Sequence, residues 1–149
     1  MFRGISPITL DVKGRMSIPV RYRSQLQDVC AHQLVITIDP DYCLLLYPLP
    51  EWEVVEQRLV CLSSTNRKAR SLKRLLLGHA EECHPDSHGR LLLPMPLREF
   101  AGLDRRVVLV GQGNKFEIWD EALWYRQRDE WIRVQDGDDP QSDVNTLAF

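Results

Sequence analysis

The chain has 149 residues, 44% of them hydrophobic and 27% charged, the balance of an ordinary globular domain with a packed core. Its formal charge is −2, so no bulk excess of cations announces a nucleic-acid or membrane partner, and any basic patch has to be local. No run approaches the roughly 18 apolar residues of a membrane span, no apolar signal core follows Met1, and Cys30, Cys43, Cys61 and Cys83 form neither a disulfide scaffold nor a Cys-x-x-Cys pair, so a cytoplasmic chain with reduced thiols is expected.

In chain order, Ile5 to Leu10 reads as a first strand and Met16 to Ile18 as a second, stopped by Pro19. Val20 to Leu26 reads as a short helix, since the proline before it suits a first helical turn. Leu34 to Ile38 and Cys43 to Tyr47 read as a hairpin around DPDY, with a helix over Glu51 to Leu62. Asn66 to Leu77 reads as a further helix, with Ala69, Leu72 and Leu76 on one stripe and basic residues opposite. The order then returns. Strands are expected at Gly78 to His84 and Leu91 to Leu93, a short helix at Met95 to Phe100, a hairpin of Arg106 to Val110 with Phe116 to Trp119 around GQGNK, and a helix over Glu121 to Val134. Beyond it lies an acidic tail with Asp136, Asp138, Asp139 and Asp143.

The recurrence is visible in the letters. DVKGRMSIP, Asp11 to Pro19, comes back as DSHGRLLLP, Asp86 to Pro94, and Arg23 comes back as Arg98 at the same offset. Further on, Tyr47 aligns with Trp119 and Trp52 with Trp124. The chain therefore divides into a first repeat over 1–65, a bridging helix over 66–77, a second repeat over 78–135 and the tail over 136–149. A module of about 70 residues is marginal alone, so the two repeats are expected to share one core. The expected fold is α+β: a β-rich barrel or paired sheet with pseudo-two-fold symmetry, flanked by helices.

In each nine-residue unit the glycine, Gly14 or Gly89, supplies the positive φ that a tight turn between strands needs. Asp11 and Asp86 can accept turn N–H groups or pair with Arg15 and Arg90 four residues on, which orients the turn and tips it with positive charge. Charge supports a local patch. Residues 1–23 carry Arg3, Lys13, Arg15, Arg21 and Arg23 against Asp11 alone. The stretch 66–74 adds Arg67, Lys68, Arg70, Lys73 and Arg74 with no acid, though such a helix face is more often simply solvated. The second repeat departs in the sign of its charge, which is net negative: Glu81, Glu82, Asp86 and Glu99 stand against Arg90 and Arg98, and His88 stands where Lys13 does.

MFRGISPITLDVKGRMSIPVRYRSQL, with DSHGRLLLP and the later FEIW, resembles the MraZ family of bacterial transcriptional regulators over about residues 1–135. Each D-x-x-x-R-x-x-x-P unit also resembles the swapped-hairpin DNA-binding fold of AbrB-like regulators, in which two chains interleave their hairpins; here the duplication would supply both halves. The resemblance implies a nucleoid-associated repressor of the division and cell-wall gene cluster and of its own gene, binding double-stranded DNA at short direct repeats and assembling as a homo-oligomeric ring. The motif carries over to Asp11, Gly14 and Arg15, to Asp86, Gly89 and Arg90, and to Arg23 and Arg98 after the short helices. Arginine's fork matches guanine O6 and N7, which makes Arg15 and Arg90 the base readers. Lys13, Arg21 and Arg23 fall to phosphate, and Arg3, His88 and Arg98 complete the candidate DNA-binding set.

Two other classes were weighed: a protein-interaction module such as an AbrB-like antitoxin, and an enzyme built on Cys83, His84, His88 or His79. The histidine–cysteine group lacks the four well-spaced ligands of a zinc site and falls on a strand and turn. GQGNK lacks the spacing of a phosphate loop. Trp52, Trp119, Trp124 and Trp131 suit a core or a subunit contact. No catalytic residue, metal, cofactor, membrane or small-molecule substrate is expected.

Overall fold

A computed structural model describes residues 1–135. In that range the protein is mixed α+β. The first half supplies β1 (Ile5–Thr9), β2 (Arg15–Ser17), α1 (Val20–Cys30), β3 (Leu34–Asp39), β4 (Cys43–Pro48) and α2 (Leu49–Val60). After α3 (Arg67–Leu76) the same order returns as β5 (Glu81–Cys83), β6 (Arg90–Leu92), α4 (Met95–Phe100), β7 (Arg106–Gly111), β8 (Phe116–Asp120) and α5 (Glu121–Gln135).

The element boundaries differ from the sequence reading where the stop signal is tertiary or unconventional. α1 runs on to Cys30 because nothing in Gln27-Asp28-Val29 breaks a helix; it closes at Ala31, whose φ of 50° returns its amide to the Gln27 carbonyl. α2 starts at Leu49, behind Pro48 and with Pro50 in its first turn, where a missing amide costs nothing. β5 is shorter than expected, since Gly78 and Ala80 bond back to the Lys73 and Leu77 carbonyls and finish the turn after α3.

Pairing is the larger correction. The turn at Asp11–Arg15 was expected to close a hairpin between the first two strands, but β1 pairs with β7, running from Ile5 opposite Val110 to Thr9 opposite Arg106. β2 pairs with β6, and β5 with β3, so strands from each half are completed by the other. Pro7 explains why β1 takes an outer position, since it cannot donate to a ladder on both sides. The six strands β1-β7-β8-β4-β3-β5 form one antiparallel sheet, and β2 with β6 a separate ribbon. The sheet is open at β1 and β5. Among the described residues there is no closed barrel: the three-residue strands of the ribbon pair only with each other.

Alternation assigns the two sheet faces. Leu34, Ile36 and Ile38 of β3, Leu44 and Leu46 of β4, Val107 and Leu109 of β7, and Phe116 and Ile118 of β8 share the inner face. Met16 and Leu91 of the ribbon, Leu26 of α1 and Leu97 of α4 close over them in one cluster drawn from both halves. On the outer face Val35, Leu45 and Tyr47 meet Trp52 and Leu59 of α2 and Leu76 of α3. Cys43, Val108, Val110 and Trp119 meet Trp124 of α5. Being covered on both sides, β4 reads as the unbroken run CLLLY rather than as an alternating strand. Thr37, fully buried, donates its hydroxyl to the Leu76 carbonyl at 2.7 Å and ties the end of α3 to β3. The residues aligned by the repeat pack alike: Tyr47 and Trp52 have ring centroids 5.6 Å apart, Trp119 and Trp124 5.8 Å. Among the described residues no helix is long and apolar enough to cross a membrane.

Candidate nucleic-acid interface

The ribbon carries the candidate site. Met16 and Leu91, opposite each other in register, point into the core with no exposure, so Arg15, Ser17, Arg90 and Leu92 occupy the outward face. Arg15 lies opposite Leu92 and Arg90 opposite Ser17. The two arginines are therefore diagonal neighbours, with Cα atoms about 7–8 Å apart. Sequence reasoning missed Ser17 and Leu92; the strict alternation with Met16 and Leu91 was the signal that could have found them.

Each arginine is held by its own turn. Asp11 Oδ1 accepts the amides of Lys13 and Arg15, both at 2.9 Å, while Oδ2 accepts Arg15 Nε at 2.6 Å. The Gly14 amide bonds the Asp11 carbonyl at 3.0 Å, and the Asp11 amide bonds the Arg15 carbonyl at 3.1 Å. The second turn repeats this bond for bond. Asp86 Oδ1 accepts the His88 amide at 2.9 Å and the Arg90 amide at 3.0 Å, and Oδ2 accepts Arg90 Nε at 3.0 Å. With Nε occupied, the Nη groups of both arginines form no hydrogen bond among the described residues, and both side chains are partly exposed. The Arg15 amide, then the Arg15 side chain and the Lys13 amide, overcome partial desolvation and pull the Asp11 carboxyl down to about 2. The Asp86 carboxyl is lowered too, chiefly by the Arg90 amide.

The glycines allow the halves to cross. Gly14 (φ 81°) and Gly89 (φ 75°) take the left-handed conformation. Their missing side chains leave room for an arginine of the other half. A Cβ on Gly14 would come within 2.6 Å of Arg98 Nε, and one on Gly89 within 2.8 Å of the Arg23 guanidinium carbon. Arg98 donates Nε to the Leu93 carbonyl at 2.9 Å, and Arg23 to the Ile18 carbonyl at 3.0 Å. The Leu93 amide in turn bonds the Gly14 carbonyl and the Ile18 amide the Gly89 carbonyl, so ribbon, turn and crossing arginine form one reciprocal unit.

Of the candidate residues, the structure brings together Asp11, Lys13, Gly14, Arg15 and Arg98 at one turn, and Asp86, His88, Gly89, Arg90 and Arg23 at the other. Lys13 and His88 are exposed at equivalent positions, each donating its amide to the turn aspartate. Val12, 99% exposed, stands beside Lys13. Arg3 and Arg21 are set apart from the turns. Arg3 precedes β1, whose far end leads to Asp11, and its carbonyl accepts the Tyr22 hydroxyl at 2.6 Å. Arg21 bonds Ser6 Oγ and lies over the Tyr22 ring. The basic cluster of residues 1–23 is thus divided three ways: Lys13 and Arg15 at the first turn, Arg23 at the second, and Arg3 with Arg21 near Tyr22.

The Cys43 and Cys83 thiols are held protonated. Burial, helped by Glu81, pushes the Cys83 thiol up to about 12, and burial beside Glu117 also raises Cys43. His79 Nδ1 is engaged with the Leu75 carbonyl.

A family model described as "MraZ protein, putative antitoxin-like" matches the chain twice, over residues 1–75 and 76–144. The chain is 58% identical over 136 residues to the transcriptional regulator MraZ of Thioalkalivibrio sulfidiphilus, covering 91% of each chain. To the transcriptional regulator MraZ of Methylococcus capsulatus it is 54% identical over the whole of both chains, and to that of Halorhodospira halophila 53% identical over 89% of this chain and 88% of the other. With two matches that between them take in nearly every residue, and with relatives identical at more than half of the aligned positions, the chain belongs to the MraZ family.

Proposed function

We propose that this protein is a sequence-specific DNA-binding transcriptional regulator that reads duplex DNA with the β2–β6 ribbon. Family membership and the naming of its relatives support the class of function. The observation that carries the mode of reading is the pair of clamped arginines, Arg15 and Arg90, on the outward face of one two-stranded ribbon. A ribbon of this width fits the major groove, about 12 Å across, and an arginine fixed at Nε presents its two Nη groups to guanine O6 and N7. Lys13, His88, Arg23 and Arg98 flank the readers as phosphate contacts; Arg3 and Arg21, farther off, meet phosphate at the margin. Asp11, Gly14, Asp86 and Gly89 orient the turns. Exposed Val12 is suited to contact with a thymine methyl.

The same reading extends to architecture and target. Reciprocal pairing of β2 with β6, and of each turn with the other half's arginine, favours a swapped-hairpin unit made by duplication, with repeats over 1–65 and 78–135 and a bridge over 66–77. The regulator acts as a repressor of the division and cell-wall gene cluster and of its own gene, in the cytoplasm on the nucleoid, as a homo-oligomeric ring. Protomers related by rotation present their ribbons in one sense, which calls for direct repeats about 10 bp apart. Footprinting on DNA upstream of its own gene should protect several such boxes, and inserting about half a turn (~5 bp) between them should abolish the avidity. Protection of an inverted repeat, indifferent to that insertion, contradicts the ring.

The family description favours one other reading, an antitoxin-like protein that masks a partner. That reading expects no footprint.

A further inference from the structure

α3 is the most cationic element in the fold, and the DNA-reading ribbon does not use it. Arg67, Lys68, Arg70, Lys73 and Arg74 lie within eight residues, and among the described residues none makes an ion pair. Arg67, Lys68 and Arg74 are exposed, while Ala69 and Leu76 are buried against the sheet. The arrangement is unfavourable for an isolated helix. Arg67 and Lys68 sit in the first turn, where the helix dipole prefers anions, and that turn has no acid. Arg70 and Arg74 form a like-charge i, i+4 pair. Asn66 Oδ1 capping the Ala69 amide and the Thr37–Leu76 bond hold the helix in place despite this. An anion over its outer surface would relieve both costs.

We propose that the acidic segment over residues 136–143 of the same chain docks on the outward surface of α3. Charge complementarity is the first argument: Asp136, Asp138, Asp139 and Asp143 lie in a stretch with no cation. Position is the second. α5, which leads into that segment, packs over β7 and β8 through Trp124, and α3 packs over β3 through Leu76, both on the outer sheet face. β4, covered on that face by α2, separates β8 from β3, so the strands under the two helices are two spacings apart, about 10 Å. Fourteen residues follow Gln135, and an extended chain of that length spans up to ~46 Å. The ribbon lies on the other sheet face, packed with α1 and α4 in the inner cluster. α5 and α3 thus share the sheet face away from the ribbon, and the role of the segment is to neutralise a polycation that would otherwise hold DNA without regard to sequence.

The test uses the full chain and a variant with Asp136→Asn, Asp138→Asn, Asp139→Asn and Asp143→Asn. A dye-labelled peptide of residues 136–149 should bind the variant saturably by fluorescence anisotropy. It should bind the native chain at least about tenfold more weakly, because the native segment competes at an effective concentration on the order of millimolar. Binding to the variant should fall as salt rises, and should vanish when Arg67→Gln, Lys68→Gln and Arg74→Gln are added; these exposed positions leave the buried stripe of α3 intact. Hydrogen exchange read by mass spectrometry should show Arg67 to Leu76 exchanging faster in the Asp→Asn variant than in the native chain. Equal peptide binding by both chains overturns the proposal. So does binding that survives the three glutamines, or protection lost at the turns around Lys13 and His88 instead of at α3. A short random duplex that binds the native chain as tightly as the variant, and loses that binding when Arg67→Gln, Lys68→Gln and Arg74→Gln are added, assigns the helix to DNA and also overturns it. None of these outcomes depends on whether the ribbon reads DNA.

Discussion

At the scale of single residues, Asp11 does more than balance a charge: its two oxygens take three donors and thereby fix where the Arg15 guanidinium stands. An unfolded aspartate titrates near 4, whereas Asp11 is held at about 2, so the clamp is fully present above the unfolded value and is lost as pH falls toward 2. A carboxyl-detected NMR titration should place Asp11 about two units below a random-coil aspartate; a midpoint near 4 would mean the clamp is open in solution. Asp11→Asn keeps an oxygen for the turn amides but offers N–H where Arg15 Nε needs an acceptor. We expect a folded protein that binds its operator more weakly. Gly14→Ala should cost roughly 1–2 kcal/mol in denaturant unfolding from the left-handed φ alone, and should also dislodge Arg98. A neutral result would show that the turn relaxes to another conformation. The aspartates, glycines and arginines of the turns were legible in the sequence, because the turn is local chemistry spelled twice. The packing of Arg23 over Gly89 and Arg98 over Gly14 was not legible, since it joins residues 66 and 84 positions apart through a strand pairing that no local pattern reveals.

At the scale of elements, strand and helix order followed from alternation and proline punctuation, while pairing did not. Short strands such as Arg15–Ser17 carry too little pattern to choose a partner, and the turn before β2 looks like a hairpin turn whether or not its flanking strands pair. What selects β6 is the fit of Met16 and Leu91 into the common core, together with the reciprocal bonds from Leu93 to Gly14 and Ile18 to Gly89. Either Met16→Ala or Leu91→Ala should therefore cost about 2–5 kcal/mol by urea unfolding. Each should also disturb both turns, so that backbone NMR shifts move at Lys13 and His88 in either variant. Shifts confined to the mutated half would show that the ribbon strands act independently.

At the scale of the molecule, the halves complete each other's sheets. β1 adds to β7, β5 to β3 and β2 to β6, and one inner cluster draws on both halves, so unfolding should be a single transition with no half-folded intermediate. Fragment 1–77, deprived of β6 and β7, should be unstructured as a monomer by circular dichroism or else pair with a second copy; an independently folded monomer would refute the shared core. Reading of DNA by the ribbon is tested most directly by the affinity of Arg15→Ala for operator and for unrelated duplex across a range of salt. If the clamped arginine reads a guanine, the variant should lose about 1–3 kcal/mol on operator and much less on unrelated DNA, with nearly the same salt slope. Lys13→Ala, measured beside it, should weaken both DNAs alike and reduce the slope by about one. An Arg15→Ala protein that folds normally and keeps its full preference for operator would contradict the account, leaving Arg15 a clamp for the turn and nothing more.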